Sequence, residues 1–225
     1  MSYAERPLAG FACAWHRTTT TPGSSLVLPD GHTDVIYSTA TGEVFVAGPD
    51  TVAQVTPTSP GTLYGLRFPP GVGPAAFGVP ASELLNLRVP LDLLWPDAER
   101  LADALGRAED PALVLAAAAT RRLRASPPDP LVAAIAAATS VADLVASTGV
   151  GERQLRRRAV TAFGYPPKTL HRILRFHRAV RLAWQGRPFA EIAATAGYAD
   201  QPHLSREVRE FAGVTLGGLL RQTRP

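Results

Sequence analysis

The sequence predicts an α+β protein. A β-rich N-terminal domain with trailing helices precedes an all-α domain of about seven helices that contains two helix-turn-helix units. Three observations carry this. Residues 11–70 break into short apolar or alternating runs between turn signals, the pattern of an antiparallel sheet or small barrel. Beyond residue 130 the apolar residues recur at helical spacing. Between them lies Ser126-Pro127-Pro128-Asp129-Pro130, the strongest break in the chain. The expected domains are therefore 1–126, β-rich with a helical C-terminal part, and 130–225, all-helical. A chain of 225 residues is long enough for both.

In the first half the candidate strands are Phe11–Trp15, Thr33–Ser38, Val44–Ala47, Val52–Thr56 and Thr62–Phe68. Pro29-Asp30-Gly31, Thr41-Gly42 and Gly48-Pro49-Asp50 break the chain between them. Asp97–Gly106 and Pro111–Ala125 have helical spacing without interior Pro or Gly. In the second half a first helix spans Leu131–Ala138. Ser140 caps the next, with Asp143 in its first turn complementing the macrodipole, and Gly149 ends it. Further helices follow at Glu152–Phe163, Lys168–Gln185, Phe189–Ala196, Gln201–Ala212 and Leu216–Arg221.

Composition removes several classes. Hydrophobic residues make up 46% and charged residues 19%, which excludes a disordered or fibrous chain. No apolar run approaches the length of a membrane span. Met1–Gly10 carries Glu5, Arg6 and Pro7 and lacks an apolar signal core, so the expected compartment is the cytoplasm. A single cysteine, Cys13, excludes an internal disulfide framework and a Cys-rich zinc module.

The net charge of +4 conceals a split. Residues 1–129 hold 9 arginines against 13 carboxylates, a net −4; residues 130–225 hold 14 basic groups against 6 carboxylates, a net +8. A basic half beside an acidic one points to a polyanion partner, with a solvated basic face as the alternative. An acidic half could also dock on the basic half and compete with DNA.

A repeat decides between these readings. Val141–Arg158 and Phe189–Glu207 each hold a short amphipathic helix, a glycine (Gly149, Gly197), a leucine (Leu155, Leu204) and an arginine two residues on (Arg157, Arg206). A compact residue four before the glycine, Val145 or Ala193, lets two helices approach, and the glycine takes the tight turn. This is helix-turn-helix construction, whose second helix enters the major groove with its N-terminal end toward the bases. That end offers Arg153, Gln154, Arg156 and Arg157 in the first unit, and Gln201, His203, Ser205 and Arg206 in the second. Arginine bonds guanine bidentately and glutamine does so to adenine. Asp200 is the expected cap of the second recognition helix, and Pro202 is tolerated in its first turn.

The connecting helix carries Ile173, Phe176, Val180, Ala183 and Trp184 on one face, so Trp184 reads as core rather than as a base-stacking residue. Its length, about 27 Å, suits two recognition helices set about one duplex turn (~34 Å) apart. Arg172, Arg175, Arg178 and Arg181 wrap around it, available to phosphate or to the acidic half. His171 and His177 read as structural or exposed.

Residues 130–225 resemble the C-terminal DNA-binding domain of AraC/XylS-type transcriptional regulators, most closely over Glu191–Thr215, EIAATAGYADQPHLSREVREFAGVT. The resemblance places Arg153, Arg156 and Arg157 on base-facing positions of the first recognition helix, and Gln201, Pro202 and Arg206 on those of the second. Pro202 has no donor to offer a base edge. The sequence departs from the family at Gly151, where a Ser or Thr cap is common, and at Ala159 and Val208, where Phe is frequent. Leu216 and Leu220 replace a usual Pro and aromatic. The N-terminal half is similar to the short β-rich domain of a subgroup of these regulators over Pro29–Tyr37, Val46–Thr51 and Arg67–Leu84. Such a domain binds an effector, dimerises, or does both.

No catalytic constellation accompanies these features. The first half has only His16 and His32, too few for a cupin-type metal site, although His32 and Asp34 would share a strand face. There is no phosphate loop and no serine-hydrolase elbow. Trp15, Phe45, Tyr64, Phe68 and Phe77 would line a pocket or fill a core. The chain is thus expected to be a sequence-specific regulator reading two successive major-groove segments, not an enzyme, with no cofactor and no metal. The alternative is a small-molecule sensor whose N-terminal domain controls DNA binding. Double-stranded DNA is the expected partner; a small-molecule effector, a second copy and RNA polymerase are further candidates, and a membrane is not.

Overall fold

The computed structural model describes residues 2–222. Eight strands form in the first ninety residues: β1 (Ser2–Arg6), β2 (Cys13–Thr19), β3 (Gly23–Val27), β4 (Asp34–Ser38), β5 (Val44–Ala47), β6 (Gln54–Thr58), β7 (Gly61–Arg67) and β8 (Arg88–Pro90). Six build an antiparallel sheet in the order β1-β2-β7-β4-β5-β8, and β3 pairs with β6 in a separate two-stranded sheet. The architecture is an open sheet rather than a closed barrel.

Three strands escape the sequence pattern for physical reasons. β1 lies at the sheet edge with all five residues exposed, so it carries no apolar alternation. β3 is rich in Gly and Ser, and β8 has only three residues. The expected Val52–Thr56 strand lies instead at Gln54–Thr58, where Pro57 is accommodated because the sheet has only two strands. The strand expected from Phe11 begins at Cys13 and runs on to Thr19.

Alternation in the central strands gives the large sheet two different faces. Val35, Tyr37, Val44, Val46 and Leu66 point to one side, where they pack with Phe68, Phe77, Trp95 and Leu115 beneath α1 (Gly73–Phe77), α2 (Ala98–Gly106) and α3 (Pro111–Ala125). Trp95 donates its buried Nε1–H to Ala76 O at 2.9 Å, while the Arg122 guanidinium lies over its ring and pairs with Asp97. Cys13, Trp15, Ile36 and Ala47 point to the other side. Gly65 faces Trp15 across the β2–β7 pair, and a Cβ there would come within 2.0 Å of the indole.

Seven helices follow among the described residues: α4 (Val132–Ala137), α5 (Val141–Thr148), α6 (Glu152–Phe163), α7 (Pro167–Trp184), α8 (Phe189–Ala196), α9 (Gln201–Ala212) and α10 (Leu216–Gln222). They share one core in which Leu155, Ile173, Phe176, Val180, Ile192, Leu204, Val208 and Leu219 are buried. Trp184 packs partly buried against that core.

The two halves pack against each other, but not through their opposite charges. Leu26, Leu28, Val72 and Leu85 of the first half join the helical core. The side chains at Val132 and Phe163 close so tightly on Gly71 that a Cβ there would lie 2.8 Å and 2.6 Å away. Among the described residues one arginine–carboxylate pair joins residues 1–129 to the rest, Arg158 to Asp129 at 2.9 Å, and Asp129 lies within the Ser126–Pro130 break. Ion pairing of an acidic half with a basic one is therefore confined, among the described residues, to that one arginine contact.

Candidate nucleic-acid interface

Each helix-turn-helix unit is built as its sequence dictates. Ser140 Oγ accepts from Asp143 N–H at 3.1 Å and starts α5; Gly149, at φ +66°, ends it in the left-handed region. Asp200 Oδ1 accepts from His203 N–H at 2.6 Å and starts α9, and Gly197 at φ +85° makes the turn before it. L-residues rarely adopt that conformation, so these glycines hold the turns. Gly151 caps α6 with no side-chain bond, as the missing hydroxyl implies. Leu155 and Leu204 anchor the second helices, at most 1% exposed.

On α6 the four expected base-facing residues, Arg153, Gln154, Arg156 and Arg157, are all exposed, and their side chains make no hydrogen bond or ion pair among the described residues. On α9, Gln201, Pro202 and Arg206 are exposed, and Arg206 carries no ion pair among the described residues. His203 and Ser205 are half-buried. The His203 ring stands edge-on to Tyr198, 5.1 Å between centroids, and its Nδ1 accepts from Ala199 N–H at 3.4 Å.

Arginines of the connecting helix divide into two groups. Arg172 donates Nε–H to Glu207 at 2.8 Å and Nη2–H to Glu210 at 2.5 Å. Arg175 grips Glu207 with Nε at 3.2 Å and Nη2 at 2.8 Å. These two are committed inside the helical half, to neither phosphate nor the acidic half. Glu207 is 3% exposed; burial alone would raise its pKa, but the bonds from Arg175 and Arg172 outweigh it and hold the carboxyl below its usual range. Arg178 and Arg181 are exposed.

A second site lies on the apolar-and-charged face of the large sheet. A cavity of about 1490 Å³ opens between this face, the β3–β6 ribbon and α7, lined by Trp15, Arg17, Ile36, Phe45, Leu63 and Arg67 and, from α7, by His177, Arg181 and Trp184. Of the five aromatic residues expected to line a pocket or fill a core, Trp15 and Phe45 line this cavity, while Phe68, Phe77 and Tyr64 belong to the helix-covered core. Arg67 bonds Asp34 at 3.2 Å and lies 3.6 Å from Glu5 and 3.7 Å from Asp30. Burial pushes the Asp34 carboxyl up despite Arg67. Burial opposes charge on Asp30 as well, but Arg67 and His32 prevail and lower its pKa. His32 and Asp34 both line the cavity, with His32 Nδ1 against Phe68 O at 2.8 Å; no cluster of three metal-ligating side chains occurs among the described residues. Two buried donors of residues lining the cavity, Trp15 Nε1 and Arg17 Nε, have no hydrogen-bond partner among the described residues. Arg17 reaches Ser25 Oγ with Nη1 at 2.8 Å, and burial lowers its pKa. The cavity was legible only as charged residues on an otherwise apolar strand face, Arg17 two after Trp15 and Arg67 two after Gly65; nothing in the chain order links them to α7.

A basic all-helical domain with two exposed recognition helices defines a double helix-turn-helix DNA-binding protein. Residues 144–222 match the family described as "Helix-turn-helix domain", and the C-terminal part is an AraC-type domain, which marks the chain as a DNA-binding transcription regulator. Residues 5–90 match a second family, "Domain of unknown function (DUF6597)". No curated protein matches the sequence. Solved structures of ToxT from Vibrio cholerae are similar over the full length. One aligns at 10% identity with a TM-score of 0.46 and covers 100% of both chains. A second aligns at 9% with 0.45, covering 98% of both. A third, ToxT with an unsaturated fatty acid bound, aligns at 9% with 0.43, covering 93% of this chain and 94% of that one. No described helix is long and apolar enough to cross a membrane.

Proposed function

We propose that the chain regulates transcription by sequence-specific binding of two successive major-groove segments, one per recognition helix. Arg153, Gln154, Arg156 and Arg157 read the first segment; Gln201, His203, Ser205 and Arg206 read the second. The observation that carries this is selective exposure. The basic side chains toward the N-terminal ends of α6 and α9 have no ion pair among the described residues, whereas Arg172 and Arg175 are committed to Glu207. Capture by the basic half supplies affinity, and the helix ends supply base readout. The units divide at residues 126–130, and the reading involves no catalytic step. It fits a cytoplasmic protein, with a second copy and RNA polymerase as further partners. Titration by fluorescence anisotropy, with duplexes selected from a randomised pool, tests it. Arg157→Ala or Arg206→Ala weakens binding to the selected duplex by about 1–3 kcal/mol and relaxes base preference. Equal losses on all duplexes would overturn direct readout.

The cavity supports a second reading, that a small-molecule effector governs DNA binding. Trp15 Nε1 and Arg17 Nε are buried donors without a hydrogen-bond partner among the described residues, which a bound hydrogen-bond acceptor would satisfy. An occupant would touch the sheet and α7 together. A compound that raises the melting temperature of the full chain should lose that effect in Trp15→Phe and Arg17→Met. Retention in both variants would place its site elsewhere.

A further inference from the structure

Within the helical half the two helix-turn-helix units lean on α7 rather than on each other: α6 packs on α4, α5 and α7, and also on α1 and residues 81–83 of the first half, while α9 packs on α7, α8 and α10. Inside the helical half alone, their relative placement would depend on one helix. A second connection runs through the N-terminal half. Residues 48–53, between β5 and β6, touch the C-terminal ends of both recognition helices. At one end Pro49 reaches Gly164, the left-handed cap of α6, where Ala81 and Leu85 also converge. A Cβ on Gly164 would lie 3.3 Å from Pro49 Cγ, 3.2 Å from Ala81 O and 3.0 Å from Leu85 Cδ1. At the other end Ala53 N–H donates to Phe211 O in the last turn of α9, at 2.7 Å.

The loop is braced along its length. Gly48 N–H donates to Leu87 O at 3.0 Å, Asn86 N–H to Pro49 O at 2.9 Å, and Thr51 N–H to Asn86 Oδ1 at 2.8 Å. The Asp50 carboxylate, 6% exposed, receives both Arg88 Nη groups at 2.7 Å and 3.3 Å. Asn86 itself sits at φ +58°, in the left-handed region that asparagine tolerates. A segment fixed at four successive points and touching two helices at its ends resists their relative movement.

We infer that residues 48–53 form a strut that sets the spacing between the two recognition helices, with Asp50 and Ala53 as positioning residues for operator recognition. The inference rests on the DNA-binding reading above. It explains why the N-terminal half contacts the C-terminal ends of α6 and α9 and leaves their N-terminal ends exposed. Arg88 also lines the cavity, so an occupant there would meet the anchor of the strut.

The test uses the full chain, a duplex selected by it from a randomised pool, and versions of that duplex with one base pair added or removed between the two half-sites. One base pair shifts the half-sites by about 3.4 Å. The wild-type chain should lose about tenfold or more in affinity on either altered duplex, the scale of one mismatched base pair. In Ala53→Pro, which deletes the N–H donor, and in Asp50→Asn, which weakens only the Arg88 bond, that penalty should shrink to about threefold or less, with affinity for a single half-site unchanged. Asp50→Asn keeps the side-chain shape and decides the matter if Ala53→Pro does not fold. A loss of stability alone would weaken every duplex alike. Spacing penalties in folded variants equal to those of the wild type, or no spacing penalty in the wild type, would overturn the strut. Failure of the wild-type chain to select any duplex would instead overturn the DNA-binding reading.

Discussion

Replacing Glu207 with Ala should destabilise the helical half and disturb its second recognition helix together. Glu207 lies on α9 beside Arg206, is 3% exposed, and accepts three charge-assisted hydrogen bonds from Arg172 and Arg175 at 2.8, 3.2 and 2.8 Å. Bonds to charged groups contribute about 1.5–3 kcal/mol each, but they do not simply add here. Both arginines are roughly a third exposed and can turn to water, and Arg172 keeps Glu210. Removing one member of a fully buried pair costs about 3–5 kcal/mol, so partial exposure brings the expected loss to about 2–3 kcal/mol. In a chain of this size that lowers the melting temperature by about 5–10 °C. Urea denaturation at several pH values measures it. The folded-state pKa of Glu207 lies below its unfolded value, so the carboxylate stabilises the fold above about 4.5, and the contribution is lost as pH falls through the lowered value. Wild type and Glu207→Ala should therefore converge in stability in acid. A loss under about 0.5 kcal/mol at pH 7, or an equal loss at pH 7 and in acid, would refute the network's role.

Two further changes probe the cavity wall. Gly65→Ala places a Cβ 2.0 Å from the Trp15 indole, which must leave its seat; the expected cost is about 1–3 kcal/mol, with a changed near-ultraviolet circular dichroism spectrum. A variant with wild-type stability and spectrum would show that the indole has room elsewhere. Burial pushes the Cys13 thiol up to about 11, so on the order of 0.1% is thiolate at pH 8. Iodoacetamide should accordingly modify Cys13 slowly in the native chain and quickly in urea, as read by intact-mass spectrometry; a native rate equal to that in urea would count against its burial.

Legibility in the sequence followed locality. Ser140, Gly149, Gly197 and Asp200 act on backbone within a few residues of themselves, and all four behave as their positions imply. The apolar face of α7 could be read because helical periodicity repeats over five turns. The edge strand β1 could not, since an exposed strand needs no apolar alternation and its evidence is its partner, β2. For Arg172 and Arg175 the sequence leaves phosphate and the acidic half both open, because chain order does not bring Glu207, more than thirty residues away, beside them.

The sequence by itself determined that the second half is helical, basic and doubled, because caps, turns and periodicity are short-range signals. It also determined which residues stand at the N-terminal ends of the recognition helices. Only the tertiary structure decided which arginines are free, since pairing depends on carboxylates distant in the chain. It alone assembled the cavity from two sheets and α7, and it alone brought residues 48–53 against both α6 and α9. Opposite charge on the halves suggested electrostatic docking, yet the contact is largely apolar. Net charge reports a long-range field, while the packing of Leu26, Leu28, Val72 and Leu85 depends on shape at contact distance, which composition does not encode.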